Sequence, residues 1–175
     1  DNTAIGYSSL KTNTTGSKNV GLGTGTLYFN TTGANNTASG YAALKLNTTG
    51  TDNSAFGMSS LYSNTTGGAN VAIGNQSMTM STTGGFNTAV GQKALYSNTT
   101  GNSNTAVGRD SLRSNTTGSY NVALGQKAGF ALASGNNNAF IGTNACDDVV
   151  SANNFFCFGN SQGSIFTANT LTGHM

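Results

Sequence analysis

The sequence predicts an all-β fold, a parallel β-solenoid (β-roll) of ten 17-residue coils. Three observations carry this reading. Glycine recurs at 6, 23, 40, 57, 74, 91, 108, 125, 142 and 159, always 17 apart. A second glycine series runs 16, 33, 50, 67, 84, 101, 118 and 135. Between them lie short stretches of Thr, Val, Ile and Phe, which favour strands, and Asn-Thr-Thr-Gly, which favours turns.

The unit reads N-[TV]-A-[IVLF]-G-x-x-[AS]-L-x-x-N-T-T-G-x-x, with its first Asn as column one. Such a unit is too short for two helices and their turns, and glycine is costly inside a helix. Each unit is therefore expected to hold two strands and two turns. One strand covers roughly columns two to four, the other roughly seven to eleven. A single coil cannot bury its own apolar face, whereas stacked coils can. Parallel strands stack at about 4.8 Å, so the rod is roughly 48 Å long.

Two columns are expected to fill the interior. Column four holds Ile5, Leu22, Ser39, Phe56, Ile73, Val90, Val107, Leu124, Ile141 and Phe158. Column nine holds Leu10, Leu27, Leu44, Leu61, Met78, Leu95 and Leu112. The Asn columns are expected to form amide ladders between coils. The glycines permit positive φ at corners. Column three is Ala4, Ala38, Ala55, Ala72, Ala89, Ala106 and Ala123, with Gly21 as the exception. On a strand it points opposite to columns two and four. A small residue on that second face predicts close approach of a neighbouring subunit, so these alanines are the subunit-interface candidates.

The pattern divides the chain. Residues 1–142 are regular β-roll repeats, and 143–175 are a degenerate terminal coil and a C-terminal cap, tip or junction. The departures begin at "GQKAGFALASG" (Gly125 to Gly135) and continue through "NACDDVVSA" (Asn144 to Ala152) to Phe155, Phe156 and Phe158. Terminal repeats are expected to be atypical because they cap an open edge.

Only 7% of residues are charged, against about 25% in a typical domain. Disorder usually pairs low hydrophobicity with high net charge. Here the net charge is +2 and the apolar residues keep strict register, so an ordered repeat is predicted. The thin charge leaves no nucleic-acid footprint. No apolar run reaches the length of a membrane span, so no membrane insertion is expected. No signal peptide is visible. The chain starts inside a repeat without Met, which reads as a piece of something longer. Cys146 and Cys157 read as small core residues, with a disulfide as the alternative.

No catalytic set is predicted. His174 is the one histidine, and the five acids are Asp1, Asp52, Asp110, Asp147 and Asp148. A glycosidase commonly needs two carboxylates at a set separation, and the only neighbouring pair, Asp147 and Asp148, faces opposite ways on a strand. Those two with Asn144 offer oxygens to Ca²⁺, but a solvated turn at the degenerate end is the favoured reading, and no metal or cofactor is expected. Gly21-Leu22-Gly23-Thr24-Gly25 lacks the lysine and helix of a phosphate loop and reads as a variant coil. The recurring Asn-Thr-Thr matches a glycosylation acceptor, yet turn chemistry already explains it.

One outward column carries information. Column ten is Lys11, Tyr28, Lys45, Tyr62, Thr79, Tyr96, Arg113 and Phe130. Like charges stacked in successive coils repel, and alternation lets each cation lie on a ring. Ladder packing explains this, and so does a glycan-binding stripe. Column six adds Tyr7, Tyr41, Gln92, Arg109 and Gln126. The candidate ligand surface is therefore Lys11, Tyr28, Lys45, Tyr62, Tyr96, Arg109, Arg113 and Phe130, with Phe155 and Phe156 at the irregular end.

The motif N-[TSV]-[AV]-x-G-x-x-[AS] resembles the head repeats of trimeric autotransporter adhesins, the YadA-like β-roll. The longer unit with "ALYSNTTG" (Ala94 to Gly101) resembles repeats of phage tail-fibre-like and bacterial surface fibre proteins, upstream of an endosialidase-type intramolecular chaperone. The resemblance covers residues 2 to 172. It implies a left-handed roll, a parallel homotrimer and an extracellular place on a cell surface or virion fibre. The expected function is a non-enzymatic structural and adhesive fibre segment that binds a cell-surface polysaccharide or protein receptor. The alternatives are an ice-binding β-solenoid, suggested by the Thr pairs, and the non-catalytic shaft of a tail-spike depolymerase.

Overall fold

A computed structural model of the protein describes residues 1–160 and the short strand at 163–164. His174 and most of the segment after Gly159 lie outside the described residues. Ten parallel strands form one sheet in chain order. They are β1 (Thr3–Ile5), β2 (Val20–Leu22), β3 (Thr37–Ser39), β4 (Ser54–Phe56), β5 (Val71–Ile73), β6 (Thr88–Val90), β7 (Thr105–Val107), β8 (Val122–Leu124), β9 (Ala139–Ile141) and β10 (Phe156–Asn160). Strand β11 (Gly163–Ser164) pairs antiparallel with the end of β10. The register is in step throughout: Ala55 pairs with Ala72, Ala72 with Ala89, Ala89 with Ala106. No helix is present among the described residues. The chain is a β-solenoid of about nine turns, with β1 to β10 set at a constant 17-residue interval.

The predicted second strand is a ribbon of turns. Columns seven and nine take left-handed φ in coil after coil, as at Ala42 (+56°), Leu44 (+50°), Ser59 (+54°) and Leu61 (+51°). For a side chain such as Leu this costs roughly 1–2 kcal/mol. Burial outweighs it, because Leu27, Leu44, Leu61, Leu95 and Leu112 are fully buried, and each gains about 1.5–3 kcal/mol that way. The ribbon also bonds to the coil above: Leu27 N–H donates to Ala43 C=O at 3.1 Å and Phe29 N–H to Lys45 C=O at 3.0 Å. The ladder therefore survives without extended backbone.

The core reverses one expectation. Column nine is interior, as predicted, but column four is not. Ile5, Leu22, Phe56, Ile73, Val107, Leu124 and Phe158 are exposed. The inward residue of each strand is the alanine. Ala38, Ala55, Ala72, Ala89, Ala106 and Ala123 have no exposed surface and join the core cluster. They do not offer an outer face to a partner; Ala4, in the first coil, is exposed. The physical reason is room: Leu from the ribbon fills most of the narrow interior, so the facing strand can contribute only a methyl group.

Asparagine holds the corners. In column one, Asn36 Nδ2 donates to Asn19 Oδ1 at 3.1 Å, and Asn36 N–H donates to the same oxygen at 3.0 Å. In column twelve, Asn47 Nδ2 donates to Asn30 Oδ1 at 2.7 Å and to Gly50 C=O at 3.0 Å. These amides are fully buried, and each needs its partners because an unmade buried hydrogen bond is costly. The first glycine column takes φ near +130°, as at Gly23 and Gly74 (+131°). The second is needed for space: a Cβ on Gly33 would strike the Gly50 carbonyl oxygen and the Asn30 side chain.

Candidate functional site

The column-ten side chains stack as the sequence suggests. Lys11 Nζ lies 5.2 Å from the Tyr28 ring centre and donates a 3.0 Å hydrogen bond to its hydroxyl. Lys45 Nζ lies between two rings, 6.0 Å from Tyr28 and 5.8 Å from Tyr62. Arg113 lies 5.9 Å from Tyr96 and 5.6 Å from Phe130, and Lys127 Nζ is 5.7 Å from Phe130. Each such contact is worth about 0.5–1 kcal/mol at an exposed site. The rows arise because identical columns stand one above another at the coil spacing.

Thr79 interrupts the stripe and leaves two groups of different electrostatics. In the C-terminal group, Arg109 Nε lies 3.3 Å from one Asp110 oxygen and Arg113 Nε lies 3.7 Å from the other. Both outward arginines are thus bridged by one carboxylate. In the N-terminal group, Lys11 and Lys45 have no carboxylate partner among the described residues. The hydrogen bond to Tyr28 raises the Lys11 pKa above the ordinary lysine value, with charge interaction from the same phenol adding to it. Lys11 is therefore fully cationic at neutral pH.

A cavity of about 120 Å³ opens beside this N-terminal group. Tyr7, Thr24, Gly25, Tyr28, Tyr41 and Lys45 line it, with Ser8 and Ala42. The sequence reading had Tyr28 and Lys45 on the candidate surface and noted Tyr7 and Tyr41 beside it, but not that they converge. The available signal was Gly25, the gap in a column that elsewhere carries side chains.

The aromatic end residues divide. Phe155 occupies column one of its coil, an inward position, and packs partly buried against the core, 6.0 Å from the Phe140 ring. It is not part of an exposed ligand surface. Phe156 is exposed but stands on β10 in column two, on the outer sheet face rather than on the stripe.

Cys146 and Cys157 are joined by a disulfide within the core, 11 residues apart in sequence. The expectation of two free core thiols is thus half corrected: the place was right and the bond was missed. Both residues sit in the inward columns, nine and three, where side chains of adjoining coils meet.

The threonine pairs are turn residues with employed hydroxyls. Thr14, Thr31, Thr48, Thr65, Thr82 and Thr99 each donate a side-chain hydrogen bond to a carbonyl of the next coil. Backbone donors from Thr14, Thr15 and Gly16 converge on the Thr31 carbonyl at 3.0, 3.1 and 3.2 Å.

No family model matches this chain, and no curated protein or solved structure is significantly similar to it.

Proposed function

We propose that this chain is a segment of a trimeric extracellular fibre, structural in its shaft and adhesive along its outward stripe. The observation that carries the reading is the outer face of the sheet. Columns two and four present Val20, Val71 and Val122 beside Leu22, Phe56, Ile73, Val107 and Leu124, without one charged residue over ten strands. All-parallel sheets are almost always covered on both faces. Here the inner face is covered by the ribbon of turns, and the outer face is bare.

A second copy in the same axial register suits this face best. Its outward side chains recur at the same rise of about 4.8 Å, so rung meets rung along the whole length. Three copies, rather than two, follow from the resemblance to fibre and adhesin heads. The core disulfide supports an oxidising, extracellular setting. The adhesive half rests on the tyrosine-lysine group, which joins ring faces for a sugar with cations for an acidic one. An ice-binding face is less well supported, since half of the threonine hydroxyls are held by backbone carbonyls.

Sedimentation equilibrium tests the assembly. A trimer is expected, and Ile73→Lys with Val107→Lys should yield folded monomer with unchanged circular dichroism. A wild-type chain that stays monomeric at tens of micromolar, roughly the range of weak interfaces, refutes the fibre reading.

A further inference from the structure

Coil two departs from its neighbours at two adjoining positions. Thr24 stands where Tyr7 and Tyr41 stand above and below, and Gly25 stands between Ser8 and Ala42. Gly25 is left-handed (+67°), but this does not call for glycine, since Ala42 (+56°), Gln76 (+58°) and Lys93 (+57°) hold the same conformation in the same column. Nor does packing call for it: a Cβ on Gly25 would meet nothing within 4 Å. What glycine does here is leave a space.

That space is the 120 Å³ niche. Tyr7 and Tyr41 come from coils two apart, a separation of about 9.6 Å. A ring held between two others at contact distance needs about 7–8 Å, and the two-coil rise leaves that much between the rungs from which Tyr7 and Tyr41 project. Tyr28 and Lys45 form another side, and Lys11 bonds to the Tyr28 hydroxyl. Neither lysine has a carboxylate partner among the described residues. A neutral apolar ligand would leave these cations unused, and a free inorganic anion would leave the rings unused.

We propose that the niche between Tyr7 and Tyr41 binds a single pyranose residue bearing a carboxylate, presented by an acidic polysaccharide. The sugar ring stacks between the two tyrosines over Gly25, and its carboxylate meets Lys45, with Lys11 beyond it. The proposal rests on the glycan-binding part of the reading above and adds its place and its ligand class. The niche lies past the glycine corner that follows the strand, away from the bare sheet face.

The test is a titration of the ¹⁵N-labelled chain with methyl β-D-glucuronide and methyl β-D-glucoside at low salt. Saturable shifts are expected at Tyr7, Gly25, Tyr41 and Lys45, with the glucoside weaker by roughly two- to fivefold, the scale of one exposed charge pair. Gly25→Gln fills the niche with a side chain that Gln76 already carries in this column, so melting should be unchanged and the shifts abolished. Tyr41→Ala should weaken them and Tyr41→Phe should retain them. The absence of saturable shifts, or shifts that persist in Gly25→Gln, overturns the proposal; equal affinity for both glycosides overturns the carboxylate. A polysaccharide array separates the two readings. Array binding kept by Gly25→Gln sinks the niche and spares the adhesive fibre, whereas a wild-type chain that binds no array glycan sinks the adhesive reading.

Discussion

Phe140 fills the room that Gly129 vacates: a Cβ on Gly129 would fall 2.7 Å from the Phe140 ring. Gly129 sits in column nine, where other coils carry Leu, and Phe140 sits in column three of the next coil, where others carry Ala. The large and small partners have exchanged sides, and the interior volume is kept. Phe140→Ala alone should cost about 3–5 kcal/mol through the cavity it leaves. Gly129→Leu alone should cost about 1–3 kcal/mol through overpacking. The double variant restores the ordinary pair and should melt near wild type. Denaturant unfolding of all four proteins checks this, and additive losses would disprove the exchange.

Cys146 and Cys157 occupy the same two columns one coil further on, and there the contact is covalent. In the chain-entropy picture, a loop of 11 residues is worth about 3 kcal/mol. Reduction, or Cys146→Ala with Cys157→Ala, should lower the melting temperature by several degrees, roughly as that energy implies. The loss should concentrate in the last coils, as hydrogen exchange would show. A melting point indifferent to reductant would contradict the bond.

The column-twelve amide ladder breaks at Ser81. Asn64 Oδ1 and Ser81 Oγ are buried there without hydrogen-bond partners, because the serine is too short to reach the next rung. Asn115 Oδ1 is orphaned in the same way where Leu132 replaces the next asparagine. Ser81→Asn restores a donor to Asn64, and Gly84 keeps the corner open for it. A gain of about 1–3 kcal/mol is expected, the range for relieving an unsatisfied buried group. Chemical denaturation measures it, and a loss of stability would show that the ladder cannot close there.

Gly57 stands at a corner with φ +126°, and a Cβ there would lie 2.7 Å from the Gly74 carbonyl. Backbone strain and collision act together, so Gly57→Ala should cost more than the roughly 1–3 kcal/mol of strain alone. Gly68→Ala has ordinary φ and meets its nearest atom at 3.0 Å. It should cost distinctly less. Thermal melts of the pair compare the two, and equal losses would remove the corner argument.

The sequence by itself determined the period, the parallel stacking, the amide ladders, the core leucines and the alternation of cations with rings. Each is a relation between identical columns, and a constant 17-residue interval places identical columns above one another whatever the coil's shape. Only the tertiary structure decided which side of the strand faces inward. Both sides are uncharged, and a one-residue shift in a period of two exchanges every side chain between faces. The narrow space left by Leu44 and its equivalents settles the matter in favour of Ala55 over Phe56. The same holds for the disulfide and the niche. Each joins different columns of adjoining coils, Cys146 with Cys157 and Tyr7 with Tyr28 and Tyr41, and such meetings depend on how the chain bends between its glycines.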